Sequence, residues 1–149
     1  MKILVTGGTG YIGSHTVVEL LNNNYDVVII DNLYNSKRDV VDKIEKITGK
    51  SVVFYEGDVC DKTLLKRIFE EHKIDAVIHF AGYKAVGESV QKPIMYYRNN
   101  IDSTLALCEV MKEYNVRNIV FSSSATVYGT PKSLPIKETA EVGHATNPY

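Results

Sequence analysis

The chain has 149 residues, 44% apolar and 23% charged, with 17 basic against 18 acidic side chains for a formal net charge of -1. That length suits one compact domain able to bury a core without disulfides or metals, and the apolar content excludes disorder. Near-neutral charge with scattered basic residues argues against nucleic acid or an anionic membrane surface as a partner.

Short β-branched runs alternate with helical patterns. Lys2–Thr6 reads as a buried strand, followed at once by a glycine-rich turn and a helix from Ile12 to Asn22. Asp26–Ile30 is a second strand, its four β-branched residues suiting a sheet covered on both faces. Val40, Ile44 and Ile47 then share a helical face, with Gly49 where a C-terminal cap belongs. Ser51–Tyr55 is the third strand, and Asp61 caps a helix carrying Leu64, Leu65, Ile68 and Phe69. Ala76–Phe80 is the fourth strand. Pro93 opens a long helix with Ile94, Tyr97, Ile101, Leu105, Cys108 and Met111 at helical spacing, and Asn118–Ser122 is the fifth strand. From Ser123 to Tyr149 the pattern stops.

Repeated strand-then-helix units predict right-handed βαβ crossovers, hence an α/β fold with a parallel sheet and helices on both faces. Cys60 and Cys108 lack any paired spacing and read as small hydrophobes. The apolar start is too short for a signal peptide and nothing approaches a membrane span, so the expected compartment is the cytoplasm. His79, inside the fourth strand, reads as a buried, hydrogen-bonded histidine, while His15, His72 and His144 show no metal-ligand spacing.

The turn Gly7-Gly8-Thr9-Gly10-Tyr11-Ile12-Gly13 joins the first strand to the first helix. A Cβ at Gly7 would obstruct the turn, one at Gly10 would hold a ligand off the backbone, and one at Gly13 would push the helix off the strand. The helix then points free N–H groups and the positive end of its dipole at an anion, typically a pyrophosphate. Asp31 ends the second strand about 20 residues on, where a carboxylate accepts the hydroxyls of an adenosine ribose and repels a 2′-phosphate. The expected fold is therefore a Rossmann-type doubly wound sheet, and the expected cofactor is NAD. Asp58, after the third strand, suits the adenine amino group with Val59 over the ring, and serves equally as a turn cap.

Five stretches carry a resemblance: 5–15 (VTGGTGYIGSH), 31–33 (DNL), 56–59 (EGDV), 79–89 (HFAGYKAVGES) and 122–129 (SSSATVYG). On them the chain resembles the extended short-chain dehydrogenase/reductase family, and within it the nucleotide-sugar 4-epimerases. The resemblance implies NAD contacts at Gly7, Gly10, Tyr11, Ile12, Gly13, Asp31, Asn32, Asn35 and Ser36. It implies further contacts at Asp58, Val59, Phe80, Ala81, Gly82, Lys84, Asn99, Ser122, Ser124 and Tyr149. Lys84, Val86, Gly87, Ser124 and Tyr149 would meet a UDP-sugar, with Ser124 on its 4-hydroxyl and Tyr149 matching the tyrosine of the family's Tyr-x-x-x-Lys motif. The implied activity interconverts UDP-glucose and UDP-galactose through a transient 4-keto sugar, in a homodimer paired through the long helix, whose outer apolar face of Tyr97, Leu105 and Met111 is expected to be exposed here.

The chemistry agrees with that assignment. Taking hydride from a carbinol carbon requires its hydroxyl proton to leave, so a base must be positioned there. Bringing a phenol from its usual pKa of about 10 to about 7 takes roughly 4 kcal/mol of phenolate stabilisation, which nearby cations supply. The family's lysine lies beyond residue 149, as does its sugar-binding C-terminal domain. Residues 1–149 are thus expected to be a truncated NAD-binding domain, inactive by themselves. Two other readings remain: an epimerase or dehydratase of another nucleotide-sugar, and a non-catalytic NAD-binding module. Dehydratase relatives carry an Asp-Glu pair where this chain has Ala125 and Thr126.

Overall fold

The computed structural model describes residues 1–149. In chain order the elements are β1 (Lys2–Thr6), α1 (Tyr11–Asn22), β2 (Asp26–Asp31), α2 (Asp39–Thr48), β3 (Val53–Glu56), α3 (Lys62–Glu71), β4 (Ala76–His79), α4 (Val86–Gln91), α5 (Pro93–Glu113) and β5 (Asn118–Phe121). A short 3-10 turn follows at Ala125–Tyr128. The five strands form one parallel sheet in the order β3-β2-β1-β4-β5. The chain winds outward from β1 to β3, then crosses back to place β4 on the other side of β1. That reversal opens a crevice at the carboxyl ends of β1 and β4, where ligands of open α/β sheets bind.

Alternation along the strands splits the core into two layers. Leu4, Val28, Ile30 and Val77 pack with Leu65, Ile68 and Phe69 of α3 and Ala106, Leu107, Val110 and Met111 of α5. Ile3, Val5, Val27 and Ile29 pack on the opposite face with Val17 and Leu21 of α1 and Ile44 of α2. Each fully buried Leu, Ile or Val stabilises the fold by roughly 1.5–3 kcal/mol. The caps form as expected: Gly49 closes α2 at φ +67, and Asp61 accepts the N–H groups of Thr63 and Leu64 at 2.9 and 3.1 Å.

Several expectations need correcting. A short helix, α4, fills the stretch between β4 and Pro93, and the 3-10 turn orders part of the segment read as patternless. Ile47 is exposed, and α2 buries Val41 beside Ile44. Cys108 is exposed rather than a core residue. On α5, Tyr97 and Leu105 are exposed as expected, in one stripe with Ile94 and Ile101, but Met111 is not: it faces the core with Tyr96, Leu107 and Val110. This helix has two apolar stripes, and spacing alone does not choose between them. β5 is an exposed edge strand, with Ile119, Val120 and Phe121 open to solvent.

Candidate functional site

The glycine turn is built from contacts only glycine allows. Gly7 sits at φ +69, and a Cβ there would lie 2.8 Å from the Ala81 amide nitrogen. A Cβ on Gly13 would collide with the Gly7 carbonyl oxygen, so this glycine lets α1 seat directly on the turn. No side chain caps the N-terminus of α1, no acidic residue lies in its first turn, and its first hydrogen bond to Gly10 comes from Ser14 at 2.9 Å. The amides of Tyr11, Ile12 and Gly13 are thus left for an anion.

Asp31 is 7% exposed beside this turn. Its Oδ2 accepts the Thr9 N–H at 3.1 Å, and its Oδ1 accepts the Leu33 N–H at 2.9 Å and the Ser36 hydroxyl at 3.1 Å. Ser36 in turn accepts from Thr9 Oγ1 at 2.8 Å. These bonds fill three of the roughly four acceptor positions of a carboxylate. Asp31 therefore holds the loop after β2 as well as facing the crevice. Asp58 accepts the Cys60 N–H at 2.8 Å, so its turn-capping role is realised while it also lines the crevice. Burial, with the Asp58 carboxylate close by, pushes the Cys60 thiol up to about 11, and it is not a thiolate at neutral pH.

One continuous cleft gathers Gly7, Gly10, Tyr11, Ile12, Gly13, Asp31, Asn32, Asn35, Asp58, Val59, Phe80, Ala81, Gly82, Lys84 and Asn99. Ser36 stands behind it, bonded to Asp31. Lys84 is the one cationic side chain among the lining residues, and its Nζ lies 5.7 Å from the centroid of the Tyr149 ring. Tyr149 itself lines a neighbouring groove with Tyr97, Ile101, Leu105, Phe121 and Pro148. Ser124 caps the 3-10 turn, accepting the Thr126 N–H at 3.1 Å. Ser122 and Ser124, with Val86 and Gly87 on exposed α4, stand outside the cleft lining. Sequence reasoning passed over Tyr34, Gly57, Tyr83 and Ser103, which also line the cleft. Tyr34, Gly57 and Tyr83 follow strand carboxyl ends, a position that could have flagged them.

His79 is 1% exposed and hydrogen-bonded at both ring nitrogens. Thr104 spends its hydroxyl proton on the Asn100 carbonyl at 2.9 Å, so it accepts from His79 Nε2 at 3.2 Å. Nδ1 is then the bare nitrogen and accepts the Thr6 hydroxyl at 2.6 Å, while Thr6 accepts the Ala81 N–H at 3.2 Å. This neutral chain ties the loop after β4 to β1 and α5. Burial, with a smaller contribution from the Lys84 charge, lowers the imidazole to about 4. Because the unfolded chain binds this proton more readily, the stability it confers is complete above about pH 6.5 and is lost as pH falls toward about 4. Urea unfolding should lose roughly 2–3 kcal/mol from this site between about pH 7.5 and about pH 4.5, and His79→Gln should flatten that part of the curve.

The sequence profile of the GDP-mannose 4,6 dehydratase family matches residues 4–149. A UDP-glucose 4-epimerase of Haemophilus influenzae is 62% identical over all 149 residues, which are 44% of its own length. The crystal structure of UDP-glucose 4-epimerase from Bifidobacterium longum in complex with NAD+ and UDP is 59% identical. It aligns with a TM-score of 0.98 over the whole of this chain and 44% of that one. A UDP-glucose 4-epimerase from Stenotrophomonas maltophila with bound NAD and formylated UDP-arabinopyranose is 48% identical, with a TM-score of 0.96 over 100% of this chain and 44% of its own. The chain thus spans less than half the length of these relatives.

Proposed function

The chain belongs to the GDP-mannose 4,6 dehydratase family, and from that premise we propose that its 149 residues are the dinucleotide-binding domain of an NAD-dependent UDP-glucose 4-epimerase. The observation that carries the reading is the single cleft joining the glycine cradle, Asp31 and Lys84, with Lys84 also reaching Tyr149. The residues fit NAD: Gly7 and Gly13 let the turn and α1 close up on their own backbone, and the open amides this leaves at the start of α1 suit a pyrophosphate. Asp31, with Asn32, Asn35 and Ser36 around it, would hold the adenosine ribose, and its charge repels the 2′-phosphate of NADP. Asp58 and Val59 would meet the adenine. Phe80, Ala81, Gly82, Lys84, Asn99 and Ser122 would complete the contacts.

NAD, when bound, would supply reversible hydride chemistry at the sugar C4. The chain's own residues manage the proton and the orientation. Ser124 would hydrogen-bond the sugar 4-hydroxyl, and its oxygen is already oriented by the Thr126 N–H. Tyr149 would take the hydroxyl proton and give it back after the 4-keto sugar has turned over. Lys84, Val86 and Gly87 would lie along the UDP-sugar.

Although the family carries a dehydratase name, an epimerase reading suits this chain better. Loss of water needs an acid to protonate the leaving hydroxyl, and Ala125 and Thr126 in the 3-10 turn bear no carboxyl group. The exposed stripe of Ile94, Tyr97, Ile101 and Leu105 on α5 supports a homodimer paired through this helix. No helix is long and apolar enough to cross a membrane.

The test is to purify the protein from its full native reading frame and supply UDP-galactose without added NADH. UDP-glucose should form, and NAD rather than NADP should accompany the purified protein. Retained NAD without interconversion would make it a binding module, and a 4-keto-6-deoxy product would make it a dehydratase.

A further inference from the structure

Two of the tyrosines that sequence reasoning passed over meet across the mouth of the cleft. Tyr34 follows β2 and Tyr83 follows β4, and both line the cleft. Since β2 and β4 flank β1 on opposite sides, their loops stand on either side of the glycine turn. The two rings span the gap, with centroids 4.6 Å apart and planes tilted by 40°.

The two ends of this bridge are held very differently. The Tyr83 backbone is clamped by one side chain: its N–H donates to Asn100 Oδ1 at 2.8 Å, and its carbonyl accepts from Asn100 Nδ2 at 3.0 Å. Its ring also packs on Tyr96, centroid to centroid 5.5 Å, and Tyr96 is 1% exposed. The Tyr96 hydroxyl accepts the Ala85 N–H at 3.2 Å and donates to Glu88 at 2.9 Å, fixing the same loop again. The Tyr34 side chain has no such anchorage. Asp31 braces the backbone on either side of it, through Leu33 and Ser36, but the residue is 56% exposed and Tyr83 is its ring's one aromatic neighbour.

We infer that Tyr34 and Tyr83 form a clasp over the cleft, with Tyr83 as the fixed post and Tyr34 as the moving arm, which slows the escape of a bound dinucleotide. The inference rests on the NAD reading of this cleft and extends it to cofactor retention. A ligand lying along the glycine turn passes beneath the ring pair, so its departure requires the pair to part. The lost contact therefore appears in the dissociation rate. An aromatic pair supplies about threefold to tenfold. The contact of the two tilted ring faces does this, and it survives loss of the hydroxyls.

Exchange of bound NAD for isotopically labelled NAD, followed on the protein expressed from its full native reading frame, tests the clasp. Tyr34→Ala, at an exposed position, should release NAD about threefold to tenfold faster, while Tyr34→Phe should restore slow release. Tyr83→Ala should have a similar effect, and the double variant should be no faster than the faster single one. Unchanged release in Tyr34→Ala, or additive effects of the two alanines, would overturn the clasp while leaving the NAD reading intact. A parent protein that holds no NAD at all would overturn both.

Discussion

Tyr149→Phe is expected to lower kcat for the interconversion of UDP-glucose and UDP-galactose by roughly 10²–10⁴-fold, the range a positioned general base supplies. Hydride leaves a carbinol carbon readily only if the hydroxyl proton leaves with it, and phenylalanine has no oxygen to receive that proton. The ring contacts of Tyr149, with its groove against α5 and β5 and with the Lys84 ammonium 5.7 Å away, survive the substitution. Bound NAD and thermal stability should therefore match the parent protein, and the loss should fall on kcat rather than KM. A variant retaining kcat within about tenfold would remove Tyr149 from the proton transfer.

Gly13→Val should abolish measurable NAD binding, weakening it by at least roughly a hundredfold, equivalent to about 2.8 kcal/mol. Its Cβ would collide with the Gly7 carbonyl oxygen and stand 3.0 Å from the Gly7 carbonyl carbon and the Gly8 Cα. All three are backbone atoms, so no rotamer change relieves the clash and α1 must lift off the turn. Overpacking of this kind costs about 1–3 kcal/mol in stability as well. It also turns the open amides of Tyr11 and Ile12 away from the pyrophosphate they are positioned to meet. Calorimetric titration with NAD, paired with a melting curve, separates the two effects. Near-normal affinity in a folded Gly13→Val protein would show that the helix terminus does not hold the diphosphate.

Much of this architecture is written locally. The run Lys2–Thr6, the glycines behind it and the strand ending at Asp31 each obey a rule reaching only a few residues, and each element lies where that rule puts it. Gly49 and Asp61 mark their helix ends because capping is chemistry between near neighbours. The short helix α4 was less legible, since six residues with no side-chain cap give periodicity little to register. On α5 the periodicity was clear but ambiguous. Leu105 and Leu107 both sit in helical apolar patterns, yet Leu105 is 55% exposed and Leu107 fully buried.

The sequence by itself determined the order of strands and helices, the glycine cradle and the carboxylate one strand away, because these depend on backbone sterics and on spacing along the chain. Only the tertiary structure decided which stripe of α5 meets the core, that Asp31 braces its own loop, and that Tyr34 meets Tyr83 at the cleft while Asn100 holds the Tyr83 backbone. The bracing by Asp31 is short-range but needs side-chain geometry that spacing does not give, whereas the meeting at the cleft depends on the crossover that sets β4 beside β1. It brings together residues about 17 to 50 positions apart, and a periodic pattern carries no record of partners at that distance.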